Sequence, residues 1–239
     1  MLRVGHFNVY HLYNNVPDVG NFLQSQSSSE YQLFGITESR LDIRITDHSI
    51  SIPDYYIMRR DPQLPGQIGI AGCVHHSVQA ITHRSKDLEN DKTECIWQEL
   101  KPHALGPSLF VCYLYRNPAV TFEWYGSIVQ MLDDVYNVKN RADVLIFGDF
   151  NIDMLKPHSC WDSTLALFGL ARLITSPTRT TPASTSLIGH IYTSNPSAVV
   201  TTDVSDLSIS DHNPISRTRS IKLPKPEPKG HTHVSFRFF

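Results

Sequence analysis

Short apolar, β-prone segments that end abruptly in polar residues recur along this chain. The stretch VLIFGDFNID (144–153) has four apolar residues in a row and then presents Asp149 and Asn151. Four other segments end in the same way, at Asn8, at Glu38, at Tyr115-Arg116-Asn117 and at Asp211-His212. Strand ends are rigid and lie at the open rim of a sheet, where they suit a preorganised site. The pattern therefore predicts a β-rich fold whose strand ends carry the functional residues.

The hydrophobic spacing indicates mostly strands, with three interspersed helices at 16–26, 122–136 and 161–170. We expect Ile68–Val74 and Val78–Thr82 to pair as a hairpin through the polar turn His75–Ser77. We also expect a strand at Val204–Ile209 and a partly exposed Trp124 on the second helix. Such a mixture is typical of a two-layer sheet sandwich with helices on its outer faces.

Composition limits the functions that fit the chain. Its 239 residues, 41% of them hydrophobic, suffice for one sizeable core, and the formal net charge of −2 excludes a globally basic nucleic-acid binder. Any binding of a polyanion must therefore use a local group of basic residues or a metal ion. The four cysteines form no CxxC pair, which predicts free thiols. No apolar run approaches the roughly 18 residues of a membrane span, and no signal peptide is recognisable, so we expect a nuclear or cytoplasmic protein without membrane contact.

The C-terminal part of the sequence changes character. From Arg217 onward it is basic, with three prolines within five positions (224–228), which favours an extended linker. We therefore expect a folded domain over residues 1–216 and a linker-like tail over 217–239.

Each polar strand end is ambiguous when taken alone. Asn8 and Asp149 could be turn formers, Glu38 could be a solvated carboxylate, and Tyr115 could be a core residue. The Ser-Asp-His sequence at 210–212 could be a capping loop. Only the order and combination of these residues give a specific signal.

That combination resembles the endonuclease/exonuclease/phosphatase superfamily, which includes DNase I and the apurinic/apyrimidinic endonucleases. Within it, the endonuclease domain of LINE-type (non-LTR) retrotransposons is especially similar. The stretches that carry the resemblance occur in the family's order and cover nearly all of residues 1–215. They are HFNVYHL (6–12), LFGITESRLD (33–42), ECIWQELK (94–101), CYLYRNPA (112–119), VLIFGDFNID (144–153), SPTRTTPASTSLIGHIYTSNP (176–196) and LSISDHNPI (207–215).

The resemblance implies an α+β fold, a four-layer α/β/β/α sandwich of two mostly antiparallel sheets flanked by helices, as in DNase I. It implies an Mg²⁺-dependent DNA endonuclease that hydrolyses phosphodiesters in double-stranded DNA, with Mn²⁺ as an alternative metal. A monomer is expected, and the C-terminal tail resembles the linker that leads to a reverse transcriptase domain in such elements. The implied catalytic residues are Asn8, Glu38, Tyr115, Asp149, Asn151, Asp211 and His212. Of these, Glu38 and Asp211 would bind the metal, and Arg116, Asn117 and Arg179 would contact DNA.

The chemistry of these residue types agrees with that assignment. Mg²⁺ prefers oxygen ligands and commonly uses only one or two carboxylates together with water. A carboxylate near the attacking water, with amide and imidazole groups beside it, can accept a proton and stabilise developing charge.

Two positions depart from the family pattern. Gly189 stands where the family usually has an aspartate that pairs with the histidine of the Ser-Asp-His motif, and Tyr10 stands where some branches have an acidic or amide residue. Asp203, Asp206 or a water could substitute for the missing aspartate, or His190 could rearrange. Because Gly189 removes that carboxylate, we expect a weakened enzyme, and keep two alternatives open: a catalytically inactive remnant of a retroelement and a small-molecule phosphoesterase of the same superfamily.

Overall fold

The computed structural model describes residues 1–25, 30–83, 88, 93–101, 108–120, 123–138 and 143–221 of the chain. Within them the three α-helices are α1 (Leu12–Ser25), α2 (Glu123–Val138) and α3 (Ser159–Leu167). The strands of the N-terminal half are β1 (Leu2–Asn8), β2 (Leu33–Thr37), β3 (Tyr55–Arg60), β4 (Ile70–His75), β5 (Ala80–His83), β6 (Glu94–Leu100) and β7 (Leu109–Tyr115). Those of the C-terminal half are β8 (Asp143–Asp149), β9 (Ala171–Arg172), β10 (Arg179–Thr181), β11 (Ser184–Ser186), β12 (Gly189–Thr193), β13 (Val199–Val204) and β14 (Ile215–Arg219).

The strands form two six-stranded sheets and a small hairpin. The first sheet has the order β13-β14-β1-β2-β4-β3, the second has the order β5-β6-β7-β8-β12-β9, and β10 pairs with β11. Each six-stranded sheet contains a single parallel pair, β1 with β2 and β7 with β8, and its other pairs are antiparallel. Because parallel strands end at the same edge, each pair brings two strand ends side by side.

Three apolar clusters separate four layers. The central cluster lies between the sheets and joins residues such as Val4 and Leu33 to Val111 and Phe147. A second cluster packs α1 on the outer face of the first sheet, and a third packs α2 and α3 on the outer face of the second. The α/β/β/α sandwich expected from the resemblance is therefore confirmed.

Gly148 allows the second parallel pair to close. A Cβ atom at this position would collide with the backbone carbonyl of Leu114 on β7. Since Leu114 lies directly opposite Gly148 in the β7–β8 register, no larger residue fits without shifting one of the two strands. This glycine therefore sets the approach of β8 to β7 one residue before Asp149.

The predicted hairpin between Ile68–Val74 and Val78–Thr82 is wrong. β4 pairs with β2 and β3 in the first sheet, whereas β5 pairs with β6 in the second. The polar turn at His75–Ser77 is real, because Val78 N–H donates to His75 O, but it carries the chain from one sheet to the other.

The strand predicted at Val204–Ile209 is also wrong. The strand β13 ends at Val204, and it is largely exposed and polar because it lies at the edge of the first sheet. The apolar residues Leu207 and Ile209 that suggested a strand belong to the following loop, where they pack against the α1 cluster.

Trp124 is fully buried rather than partly exposed. Its ring centroid lies 5.4 Å from that of Trp161 and 6.5 Å from that of Phe150. Because α2 packs against α3 as well as against the sheet, its apolar face is wider than packing on the sheet alone would require.

The sequence-based division at residue 216 falls inside β14, which pairs with β1 up to Arg219. Arg217 and Arg219 are both buried in this strand, and residues 222–239 lie outside the described part of the chain. The division into a domain and a tail stays a prediction. All four cysteines are free, as expected. No helix among the described residues has the length and apolar character needed to span a bilayer.

Candidate active site

Asn8 joins the two sheets at the edge where the parallel pairs end. Its Nδ2 donates to Glu38 Oε1 (3.0 Å) and to Asp149 Oδ2 (2.8 Å). Asn8 ends β1, Glu38 directly follows β2, and Asp149 ends β8, so the two carboxylates come from different sheets. A single amide group therefore holds two carboxylates in place.

Asp149 is a buried carboxylate whose neighbours shift its pKa in opposite directions. Its side chain accepts hydrogen bonds from Asn8 and, at Oδ1, from Asn151 N–H (3.0 Å). Burial raises the pKa of Asp149, and the negative charge of Glu38 adds to this, while a charge on His212 and the two hydrogen bonds oppose it. A carboxyl whose pKa is raised toward neutrality is a better proton acceptor.

Tyr115 ends β7 and lies opposite Asp149 in the parallel register. Its hydroxyl donates to Glu38 Oε1 at 3.3 Å. Burial, followed by the charges of Glu38 and Asp149, raises the pKa of Tyr115 well above its usual value. The phenol therefore keeps its proton and remains a hydrogen-bond donor.

The Ser210-Asp211-His212 loop closes the site from the C-terminal part of the chain. Ser210 Oγ donates to Asn8 O (2.7 Å), and His212 N–H donates to Ser210 Oγ (3.2 Å). His212 Nδ1 lies 3.8 Å from Asp149 Oδ2, and His212 Nε2 lies 3.8 Å from Asp211 Oδ1. The imidazole ring therefore lies between the two aspartates.

Asp211 forms an ion pair with Arg179, whereas the sequence analysis predicted that it binds a metal together with Glu38. Arg179 Nε and Nη2 lie 2.8 and 2.7 Å from Asp211 Oδ2, and both side chains are about two-fifths exposed. Because their opposite charges neutralise each other, Asp211 is a poorer cation ligand and Arg179 a weaker phosphate ligand than either would be alone. Their predicted roles in metal and DNA binding stay predictions.

The other predicted residues have largely structural contacts. Asn151 Nδ2 donates to Arg116 O (2.8 Å), which ties the ends of β7 and β8 together. The Arg116 guanidinium donates to the backbone carbonyls of Asn151 and Val120, and Asn117 Nδ2 donates to Gly66 O (2.6 Å). The structure thus brings together Asn8, Glu38, Tyr115, Asp149 and His212, with Asn151 supporting them and Asn117 turned toward another loop.

Glu38 offers carboxylate oxygens of the type that a divalent metal takes, and Arg40 Nη2 lies 3.5 Å from its Oε2. Its carboxylate is about 15% exposed at the rim of the site, and a single carboxylate with water is a common Mg²⁺ environment. Among the residues that the structure describes, no group of three or more His, Cys, Asp and Glu side chains forms a cage for a metal ion. The donor set therefore fits a water-rich magnesium ion and not a fully protein-ligated one.

Thr178 packs against Gly189, where an added Cβ would make a tight contact with it. The Thr178 hydroxyl, which is buried, accepts hydrogen bonds from Gly189 N–H (2.8 Å) and Ile188 N–H (3.1 Å). A Cβ on Gly189 would lie 3.3 Å from Thr178 Oγ1. His190 points to the other side of the sheet, where its Nε2 lies 3.1 Å from Ile152 O, so it does not replace the missing carboxylate. The acid nearest to His212 Nδ1 is Asp149 itself.

Two supporting residues were missed by the sequence analysis. Thr178 lies in the SPTR stretch, whose only signal was its place in the family pattern. Glu94 begins β6 and its carboxylate accepts hydrogen bonds from Gly69 N–H (2.6 Å) and Ile68 N–H, while Ser39 N–H donates to Gly69 O (3.1 Å). Glu94 therefore holds the loop that supports the backbone next to Glu38. An acidic residue in an otherwise buried strand was the available signal.

The architecture is that of a known class of proteins. No protein-family model matches the chain, and none of the curated proteins does. The search of solved structures, in contrast, finds similar folds over about nine-tenths of the chain. The chain has the fold of the endonuclease/exonuclease/phosphatase superfamily, as the resemblance in sequence predicted.

Three solved structures illustrate the similarity. The AP endonuclease LMAP from Leishmania major aligns with a TM-score of 0.72 and 12% identity over 92% of this chain and 88% of its own. A variant of the 3′ phosphatase NExo from Neisseria, bound to a product DNA hairpin, gives 0.70 and 16% over 92% and 100%. The endonuclease domain of TRAS1, a telomere-specific non-LTR retrotransposon, gives 0.69 and 16% over 92% and 99%.

Proposed function

We propose that this protein is an Mg²⁺-dependent DNA endonuclease of retrotransposon origin, which hydrolyses one phosphodiester at a time in double-stranded DNA. The proposal rests above all on the Asn8 bridge between Glu38 and Asp149, which joins the ends of the two parallel pairs in one acidic cluster. The similar folds of nucleases and of a retrotransposon endonuclease support it.

The side chains divide the work of hydrolysis. In this proposal Asp149 orients a water molecule and accepts its proton as the water oxygen forms a bond to phosphorus. The bond to the leaving oxygen breaks, and that oxygen takes up a proton from solvent to become a hydroxyl. Tyr115, which keeps its proton, donates a hydrogen bond to the scissile phosphate. His212 binds another phosphate oxygen and is held beside Asp149 at 3.8 Å. Asn8 fixes the separation of the two carboxylates throughout.

Glu38 would hold the metal ion at the rim of this acidic cluster, with water completing the coordination of the ion. A bound Mg²⁺ supplies charge neutralisation and polarisation of the phosphodiester, and Mn²⁺ can take the same oxygen ligands. Without substrate, the Tyr115 hydroxyl donates to Glu38 Oε1, and in the proposed mechanism this donor turns to the phosphate when DNA binds.

A weakened or inactive enzyme is the second candidate, and Gly189 favours it. Gly189 brings no carboxylate to this position, and the side chain packed beside it is the neutral hydroxyl of Thr178. Among the described residues, the carboxylate nearest to His212 Nδ1 is then Asp149, which already accepts a hydrogen bond from Asn8. No second acid in the described part of the chain lies on the Nδ1 side of His212. In this alternative, the domain comes from a retroelement and has lost its catalytic turnover while keeping its fold. The reverse transcriptase expected in a full-length element would be its partner domain.

Nicking of supercoiled plasmid DNA tests the proposal. The full chain with Mg²⁺ or Mn²⁺ should convert supercoiled plasmid to the open-circular form, and EDTA should abolish this. Glu38→Ala should lower the rate at least about 100-fold, because several kcal/mol of charge stabilisation are lost with the metal. Asp149→Asn keeps the shape but can accept only one of the two hydrogen bonds from Asn8 and Asn151 N–H, and it should lower the rate by about 10²–10⁴-fold through loss of the proton acceptor.

Asp18→Asn is the matched control, because Asp18 is an exposed carboxylate on α1, and it should nick like the wild type. Nicking that survives Glu38→Ala and Asp149→Asn alike would contradict the proposal. A wild type that nicks nothing but releases phosphate from small esters would indicate the phosphoesterase alternative, and one that does neither would indicate the inactive remnant.

A further inference from the structure

An exposed tyrosine and an exposed arginine stack on each other at the rim of the candidate site. Tyr10 and Arg40 each follow a candidate catalytic residue by two positions, Asn8 on β1 and Glu38 after β2. The guanidinium carbon of Arg40 lies 4.3 Å from the centre of the Tyr10 ring. Tyr10 nevertheless remains 61% exposed, so the rest of its ring faces solvent.

Both residues are held in place by the site itself. Tyr10 N–H donates to Asn8 Oδ1 (3.1 Å), and Arg40 Nη2 lies 3.5 Å from Glu38 Oε2. Arg40 N–H donates to Ile68 O (2.9 Å), which anchors its backbone to the neighbouring loop. Both backbones adopt positive φ angles, 61° at Tyr10 and 50° at Arg40, which bulky residues rarely adopt. The Tyr10 backbone is therefore held by Asn8 and the Arg40 guanidinium by Glu38, and the guanidinium in turn covers one face of the Tyr10 ring.

This arrangement has no role in supporting the core. A solvated tyrosine ring costs little to leave exposed, but an aromatic ring covered on one face by a guanidinium offers its other face for stacking. Aromatic rings and Arg guanidinium planes are the groups on which unstacked nucleobases are bound. Arg40 adds a positive charge beside the carboxylate of Glu38, where a polyanion must approach.

We propose that Tyr10 and Arg40 form a nucleotide clamp, which binds one unstacked nucleotide of DNA next to the scissile phosphate. Tyr10 stacks on the nucleobase and Arg40 contacts its phosphate. The clamp rests on the proposed function, since it takes DNA as the substrate, and it makes the enzyme prefer sites where a base has already left the helical stack.

Two labelled duplexes test the clamp by their binding affinity in EDTA, which prevents cleavage. One is fully paired, and the other carries a single extrahelical nucleotide. The wild type should bind the second about tenfold more tightly, since stacking of one base is worth about that factor. Tyr10→Ala should remove this preference, and Tyr10→Phe should keep it because the ring remains. Arg40→Ala should weaken binding to both duplexes and reduce the salt dependence of log K by about one phosphate contact.

Matched controls separate the clamp from general surface effects. Tyr13 is an exposed tyrosine on α1, and Arg44 is an exposed arginine paired with Asp42, so Tyr13→Ala and Arg44→Ala should bind and nick as the wild type does. In plasmid nicking, Tyr10→Ala should raise KM by a larger factor than it lowers kcat.

A wild type without preference for the extrahelical nucleotide, or a Tyr10→Ala variant that retains it, overturns the clamp. The clamp and the nuclease assignment can fail separately. Binding that depends on Tyr10 without any metal-dependent nicking rejects the nuclease alone, and nicking with unchanged KM in Tyr10→Ala rejects the clamp alone.

Discussion

At the scale of residues, the site depends on contacts that bridge long stretches of sequence. The residue types and their order along the chain identified Asn8, Glu38, Tyr115, Asp149 and His212 as candidates, and the structure brings these five together. What local sequence could not reveal is which partner each side chain takes. The Asp211–Arg179 ion pair joins residues 32 positions apart, and no local pattern specifies such a pairing.

Gly189 is the position where a single residue should change the rate. Gly189→Asp introduces a carboxylate beside Thr178, whereas Gly189→Ala introduces only the Cβ that meets Thr178 at 3.3–3.4 Å. If the missing carboxylate limits the enzyme, Gly189→Asp should nick plasmid about tenfold faster than Gly189→Ala, the size of effect that outer hydrogen-bond partners commonly have. It should also exceed the wild type.

Rates measured side by side for the three proteins separate charge from crowding. Equal rates for Gly189→Asp and Gly189→Ala would show that a carboxylate at this position brings nothing, and the weakened-enzyme hypothesis would fail.

At the scale of elements, sequence patterns predicted buried strands well and connections poorly. The apolar runs at 2–9, 108–115 and 143–150 each became a strand within one residue of the expected limits. The edge strand β13 was missed because its exposed Thr and Asp residues lack an apolar pattern. The turn at His75–Ser77 was recognised, but its destination was not, because a short turn suits a hairpin and a change of sheet equally well.

Gly148 should be intolerant of even one added methyl group. Gly148→Ala places a Cβ against the Leu114 carbonyl, so β7 and β8 must separate next to Tyr115 and Asp149. We expect the free energy of unfolding to fall by about 3 kcal/mol or more, measured by urea denaturation. Gly126 on α2 is the control, because a Cβ there meets nothing within 4 Å. Gly126→Ala should be neutral or stabilise by up to about 1 kcal/mol. Similar stabilities for the two variants would contradict this explanation of β7–β8 pairing.

At the scale of the whole molecule, buried histidines make stability depend on pH. Burial lowers the pKa of His190 to about 4 and that of His6 to about 3. The unfolded chain binds protons at these positions near pH 6.5, so the stabilising effect of the neutral folded forms is full above that pH. It is lost as the pH falls through 6.5 toward the folded-state pKa values.

His190→Gln should make this loss shallower. Glutamine can still donate to Ile152 O and does not titrate, so the His190 share of the decline between pH 6.5 and 4, about 3 kcal/mol, should disappear. Urea denaturation at several pH values measures the slope. The exposed His48→Gln variant is the control and should follow the wild type. A His190→Gln variant as steep as the wild type would reject burial of His190 as the cause.

The bond from Ser210 Oγ to the carbonyl of Asn8 ties together positions 202 residues apart. Strand β1, which is synthesised before the other strands described, lies between β2 and β14, the last of them. On the ribosome, β1 therefore waits with one unpaired edge until nearly all of the domain has been synthesised. An unfinished nascent chain cannot place His212 beside Asp149, so the candidate site can assemble only after translation of the domain is complete.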